Sequence, residues 1–214
     1  GIHCKEYYVT NNPIPHFTGR DEGLFSSIQS NDRSNSFTEK FGLTDYVLCV
    51  GRVEMRKNQL MLAHALSSAN IPLVLIGAQS QKGYSRKIIS LFGDNVHMIE
   101  HIQSGSQLLA DAYRGARAFV LPSWSEGAPL SALEAASFGV PMVLSDRSSE
   151  REYFGSSATY ISPDSISDIK EAVLSVYEAP VDAAKRAQMA SIFCERFSQE
   201  RHTDKMVAIY EKYL

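Results

Sequence analysis

From residue 46 onward the chain alternates short apolar, β-branched runs with longer amphipathic stretches. That alternation is the pattern of βαβ units built around a parallel sheet. Strands are expected at Tyr46–Val50, Leu73–Ile76, Val96–Ile99, Ala118–Leu121, Pro141–Leu144 and Thr159–Ile161. Each is nearly continuous in apolar residues, as a strand covered by helices on both faces must be. Helices are expected over Gln59–Ser68, Gly83–Phe92, Ser106–Arg114, Leu130–Phe138 and Ile166–Glu178. In the third of these, Leu108, Leu109, Ala112 and Tyr113 recur on one face at helical spacing. Pro180 interrupts the pattern, and two further helices fit Asp182–Glu195 and Gln199–Lys212. The expected fold class is α/β: a Rossmann-like doubly wound parallel sheet over residues 46–180, with C-terminal helices over 181–214 packing on it.

Residues 1–45 read differently. Asn11-Asn12-Pro13-Ile14-Pro15 and the stretch Ser26 to Ser36 are rich in turn formers and polar residues. So long a lead-in is unusual in a compact domain, and it reads as a connecting segment, part strand and part short helix, that something else precedes.

Composition narrows the classes. With 21 Lys plus Arg against 24 Asp plus Glu, the net charge of -3 offers no basic excess for a phosphate backbone, so nucleic acid is not an expected partner. No apolar run approaches the roughly 18 residues of a membrane span, and Gly1 to Thr10 lacks a signal-peptide pattern. Cys4, Cys49 and Cys194 are widely spaced, which suggests reduced thiols rather than a disulfide framework or a zinc site. A cytoplasmic protein is the expectation.

In an open α/β sheet, ligands bind beyond the carboxyl ends of the strands. After the first strand comes Gly51-Arg52-Val53-Glu54-Met55-Arg56-Lys57-Asn58, which carries Arg52, Arg56 and Lys57 close to the start of a helix. Cations beside unpaired first-turn amides make an anion site, although a solvated basic loop would look the same in sequence. After the fourth strand comes Pro122-Ser123-Trp124-Ser125-Glu126-Gly127-Ala128-Pro129-Leu130-Ser131. Pro129 suits the first helical position, which would leave the amides of Leu130, Ser131 and Ala132 facing the cleft. Glu134, about one turn in, can lean back toward that terminus. Two carboxylates flanking an anion pocket fit a ligand carrying phosphates and sugar hydroxyls together; two unrelated surface acids are the plain alternative.

The stretch Pro122-Ser123-x-x-Glu126-Gly127-x-Pro129-Leu130-x-x-Leu133-Glu134-Ala135-Ala136-x-x-Gly139-Val140-Pro141 resembles the signature of family 4 (group 1) retaining glycosyltransferases of the GT-B fold. Gly51-Arg52-x4-Lys57 stands where that family places its phosphate-binding Arg and Lys, and Val9 to Pro13 looks like its interdomain hinge. The resemblance implies that Arg52 and Lys57 hold the diphosphate of a nucleotide sugar, joined by the amides near Leu130 and Ser131 beside the tight turn at Gly51. Glu126 would lie by the donor sugar, Gly127, Ala128 and Pro129 would approach that sugar through their backbone, and Glu134 would receive the ribose hydroxyls. Glu100 and His101 would form the base-binding edge. Three positions depart from the family's pattern: Glu100 where Gly is usual, Asn58 for the common Gly after the lysine, and Gly77-Ala78-Gln79 for Gly-x-Gly.

The implied reaction moves a hexosyl group from a nucleoside-diphosphate sugar to an acceptor hydroxyl, in glycan or cell-surface polysaccharide biosynthesis, with no metal and no cofactor. The resemblance implies that this chain is the C-terminal donor-binding domain of such an enzyme. The acceptor, a glycan or lipid-linked glycan, would be held by an N-terminal domain that this chain does not supply, and any peripheral membrane contact would come through that part. A GT-B-like epimerase or phosphorylase, or a non-catalytic nucleotide-binding module, would carry much of the same sequence. Among the remaining singletons, His64, His97 and the methionines read as packing residues, and Trp124 either walls the cleft or packs at the sheet edge.

Overall fold

The computed structural model describes residues 12–14 and 35–212. Val9 to Asn11 of the hinge resemblance and most of the connecting segment therefore lie outside the described residues. Of the described part, Ile14 is buried and its N–H donates to the Phe197 carbonyl at 2.9 Å.

Six parallel strands form one sheet: β1 (Tyr46–Val50), β2 (Leu73–Ile76), β3 (Val96–Ile99), β4 (Ala116–Leu121), β5 (Met142–Ser145) and β6 (Thr159–Ile161). Their order across the sheet is β3-β2-β1-β4-β5-β6. This is the doubly wound arrangement, and it reverses direction between β1 and β4. The helices are α1 (Ser36–Phe41), α2 (Gln59–Leu66), α3 (Lys82–Phe92), α4 (Gln107–Gly115), α5 (Leu130–Ser137), α6 (Glu150–Phe154), α7 (Ile166–Glu178), α8 (Ala183–Arg196) and α9 (Gln199–Glu211).

The alternation of side chains along β1 shows why the apolar runs are continuous. Tyr46 and Leu48 enter one core with Phe37, Tyr113, Phe119, Phe138 and Phe193, while Val47 and Cys49 enter the other with Leu62, Leu66, Ile88, Ile169 and Val173. Helices α1, α4, α5, α6 and α8 cover the first face; α2, α3 and α7 cover the second. A strand with water on one side would have alternated.

Capping explains two of the boundary shifts against the sequence reading. Ser106 and Asp182, read as the first helical residues, are N-caps whose side-chain oxygens accept the N–H of Leu109 and Lys185. β4 starts two residues earlier than expected, at Ala116. The short helix α6 has no counterpart in the sequence reading, because five residues carry too little periodicity to register. Among the described residues no helix is long and apolar enough to cross a membrane.

Cys49 is fully enclosed in the second core, and burial pushes its thiol up to about 12. Neither it nor Cys194 is in a disulfide, and Cys4 lies outside the described residues.

Candidate functional site

The reversal between β1 and β4 places the loops that follow them side by side, in the crevice where open α/β sheets take ligands. The first loop is stitched to the neighbouring strand end. Gly51 N–H donates to the Ile76 carbonyl and Val53 N–H to the Ala78 carbonyl, each at 2.9 Å. At Gly77, with φ at +150°, a Cβ would sit 2.2 Å from the Gly51 carbonyl oxygen, so only glycine lets the two strand ends meet. The chain then makes a single 3₁₀ turn over Met55–Lys57 and enters α2 through Asn58, which is left-handed at φ 60°. The Asn58 carboxamide donates to the Pro163 carbonyl at 2.7 Å, and Gln59 donates to the Arg52 carbonyl at 2.9 Å. Asn58, a departure from the family's usual glycine, thus fills a left-handed position that asparagine tolerates and adds a tether to the loop after β6.

The loop after β4 meets this frame directly. Trp124 N–H donates to the Arg56 carbonyl at 2.9 Å. Lys57 Nζ lies 2.6 Å from Glu126 Oε1, with only 12% and 5% of the two side chains exposed. Arg56 reaches across the same gap, donating to the Ser125 carbonyl at 2.6 Å and approaching Glu126 Oε2 at 3.4 Å. Its other edge lies 3.0 Å from Glu54 Oε1. Arg52 stands farther out, 63% exposed and 3.7 Å from Glu54. Glu126 is therefore a buried acid held by two cations. Of the two cations read as diphosphate ligands, Lys57 is in the floor of the cleft and Arg52 at its mouth.

A third element grips the Glu126 loop from the far side. Glu126 N–H donates to Ser148 Oγ at 3.1 Å, and Ser149 Oγ donates to the Gly127 carbonyl at 3.1 Å. Both serines belong to the loop after β5, which ends in Glu150, a fully buried acid. Gly127 itself is exposed, and a Cβ there would meet nothing within 4 Å among the described residues.

At the start of α5 the structure corrects the sequence reading. Pro129 is the N-cap rather than the first helical residue, with φ -81° and ψ 67°. Those angles close an inverse γ-turn in which Leu130 N–H donates to the Ala128 carbonyl at 2.9 Å. Ala132 N–H is likewise taken, by the Pro129 carbonyl at 3.0 Å. Leu130 and Ala132 therefore do not offer free amides to the cleft, because the tight turn consumes them locally. Of the three amides, that of Ser131 alone has no backbone acceptor.

Glu134 is also buried, and Tyr113 from α4 donates its hydroxyl to Glu134 Oε2 at 2.6 Å. Tyr113 stacks on Phe138 with centroids 5.6 Å apart, so the phenol is fixed by packing. Burial, and then the Glu134 charge, raise its ionisation well above the usual tyrosine range, so it stays a neutral phenol that donates to Glu134. At the other edge of the site, Glu100 and His101 are exposed at the end of β3 and line a cleft of about 560 Å³ with Ala78, Gln79, Lys82 and Arg86.

Tyr113, Arg56, Glu54, Ser148 and Glu150 are site residues that the sequence reading did not assign. Arg56 stood in the basic run and was legible as a cation. Tyr113 was legible as a core residue of α4 but not as a partner of Glu134, since 21 residues separate them. His64 is exposed and stacked on Phe92 at 5.4 Å, away from the cleft. Trp124 is 43% exposed beside Glu126. Among the described residues no group of three or more His, Cys, Asp or Glu side chains is placed to hold a metal ion.

The chain matches the family "Glycosyl transferases group 1" over residues 31–192. No curated protein sequence matches it significantly. Among solved structures it is similar to sucrose-phosphate synthase from Thermosynechococcus elongatus, with a TM-score of 0.72 and 20% identity over 82% of this chain and 48% of the other. It is similar too to Anabaena HepE in complex with UDP and glucose, with a TM-score of 0.73 and 15% identity over 88% of this chain and 55% of that one. A third is the trehalose 6-phosphate synthase from Burkholderia multivorans, with a TM-score of 0.68 and 15% identity over 92% and 49% of the two chains. The chain thus spans about half the length of these proteins, and at such identities the likeness is one of fold.

Proposed function

The chain belongs to the group 1 glycosyltransferases, and on that premise we propose that it is the donor-binding half of a retaining enzyme. In this reading it holds a nucleoside-diphosphate sugar while the hexosyl group passes to an acceptor hydroxyl, in glycan or cell-surface polysaccharide synthesis. The observation that carries it is the 2.6 Å contact of Lys57 with Glu126 across the switch point of the sheet. A cation for phosphate and an acid for sugar hydroxyls share one spot there, where the diphosphate and the sugar of one ligand adjoin. That HepE is known in complex with UDP and glucose agrees with a ligand of this class.

The roles follow from charge and position. Departure of a nucleoside diphosphate develops negative charge on its phosphates, and prearranged cations stabilise that charge most where water is excluded. Lys57, largely buried, is the residue placed to do so, with Arg52 adding a second contact from the rim. On donor binding Lys57 is shared with the phosphates, and Glu126 turns to the sugar. There its carboxylate faces the positive charge that grows at the anomeric carbon. Glu134, held by Tyr113, accepts the ribose hydroxyls, and the exposed edge at Glu100 and His101 receives the base. The acceptor is bound by a second domain, and no metal takes part.

Calorimetry of the chain with UDP and UDP-glucose tests this directly. Binding should be detectable at millimolar ligand, survive EDTA, and weaken in Lys57→Ala while a nucleoside without phosphate is unaffected. No binding, or binding that EDTA abolishes, sinks the reading.

A further inference from the structure

Glu150 opens α6, directly after the β5 loop that grips the Glu126 backbone. Its residue is fully buried. One carboxyl oxygen, Oε2, accepts the Ser148 N–H at 3.1 Å; the other, Oε1, is buried with no hydrogen-bond partner among the described residues.

The charged groups around it are engaged elsewhere. Lys57 sits on Glu126 at 2.6 Å, and Arg147 on Asp164 at 2.8 Å. The Arg151 guanidinium lies over the Tyr160 ring at 4.1 Å, while the Tyr160 hydroxyl donates to the Gly155 carbonyl at 2.8 Å. Among the described residues no cation forms an ion pair with the Glu150 carboxylate; its own backbone N–H, the Ser148 N–H and the Lys57 charge favour its ionised form, while the Glu126 charge opposes it. A buried carboxylate with one bare oxygen is expensive, and the neutral acid is far less so. Burial outweighs the backbone N–H groups of Glu150 and Ser148 and the Lys57 charge, and with the Glu126 charge it raises the Glu150 carboxyl above the ordinary glutamate range.

The same group lies at the root of a relay to the sugar-facing loop. Glu150 holds the Ser148 backbone, Ser148 Oγ holds the Glu126 N–H, and Ser149 Oγ holds the Gly127 carbonyl. We propose that Glu150 is a positioning residue that, in its protonated form, sets the Glu126–Gly127 loop for the donor, and that its ionisation turns it against that geometry. The donor half of this inference rests on the function proposed above. Ionised Glu150 adds a second negative charge behind Glu126, which strains the loop and repels an incoming diphosphate. Donor affinity therefore falls as pH rises through the Glu150 ionisation.

Amide NMR of the unliganded chain from about pH 5 to about pH 9 reads the relay without any donor. The Glu126, Gly127 and Ser148 amides should shift together, with one midpoint above the ordinary glutamate range. That shared titration should vanish in Glu150→Gln, whose side chain mimics the neutral acid. In Ser148→Ala the residue-148 amide should still titrate while the Glu126 amide no longer follows, which keeps the test sound if Glu150→Gln folds poorly. Calorimetry with UDP-glucose, whose diphosphate does not titrate in this range, should show wild-type affinity falling severalfold with pH and the Glu150→Gln value staying within about twofold. Independent titration of the three amides, a titration that persists in Glu150→Gln, or the same affinity profile in both proteins would overturn the proposal. A shared titration lost in Glu150→Gln, with no UDP-glucose binding at any pH, supports the hold of Glu150 on the loop and refutes the donor-site reading instead.

Discussion

Glu126 and Glu134 are almost equally buried, at 7% and 6% exposure, yet the two regions that hold them work differently. Glu126 is a loop residue whose position comes from three separate strand ends: Lys57 and Arg56 after β1, its own segment after β4, and Ser148 after β5. Glu134 sits inside α5, where the helix fixes its direction and a packed phenol holds its carboxylate. A cation that compensates an acid can be drawn toward a phosphate, whereas a buried tyrosine hydroxyl bonded to an acid has no reason to move. Burial alone therefore does not distinguish a group that changes partners during a reaction from one that holds a ligand still. The chemistry of the partner does.

Six substitutions would break or sharpen that contrast. Lys57→Ala should have the largest effect, costing on the order of 1.5 to 3 kcal/mol of diphosphate affinity, because it removes a charge-assisted contact from a largely buried place. Arg52→Ala should cost less, since its side chain is 63% exposed. Equal losses in both variants would mean that burial does not set the weight of these cations.

In the whole enzyme, the role proposed for Glu126 beside the anomeric carbon predicts that Glu126→Gln lowers kcat by more than about tenfold with donor KM little changed. Glu134→Gln should chiefly raise donor KM, since it removes binding that substrate and transition state share. Matching kinetic signatures for the two acids would erase the distinction.

Tyr113→Phe isolates the fixed half of the comparison. It deletes the donor to Glu134 Oε2 and should destabilise the fold by about 1 to 2 kcal/mol in urea titration, with a modest rise in donor KM and wild-type kcat. A fall in kcat larger than the rise in KM would show that Glu134 acts at the reacting centre.

Glu150→Gln should give the smallest change, read in the pH dependence of thermal stability. Because the folded-state ionisation of Glu150 is raised, the unfolded chain gives up its proton first as pH climbs. Stability is therefore lost between the ordinary glutamate range and the folded value, and stays level above it. The variant lacks this loss, so its Tm should exceed that of the wild type increasingly across that window. Parallel Tm curves would show that Glu150 is not strained by its burial.

Much of the fold was legible in local pattern. Strands β1, β2, β3 and β6 match their sequence bounds, as does α7, because continuous apolar runs and a long periodic stretch are strong local signals. The short helix α6 was not legible, and Pro129 was placed one position too far into α5. Its pyrrolidine ring sets φ, but the choice between an inverse γ-turn and a first helical turn lies in ψ, which the packing of the loop decides. Lys57 and Glu126 were each legible as site residues through the motif, but not their contact with one another across 69 positions.

The sequence by itself determined the class of the fold, the strand ends at which to look, and the residue types that phosphates and sugar hydroxyls call for. These are properties of short segments, where apolar period, turn chemistry and motif spacing act within one element. Only the tertiary structure decided which groups are paired. It made Lys57 the partner of Glu126, gave Glu134 a phenol, left Arg52 at the rim and buried Glu150 with one oxygen bare. Those outcomes depend on desolvation and on distances between elements remote in the chain, and neither quantity exists until the sheet has brought the ends of β1, β4 and β5 together.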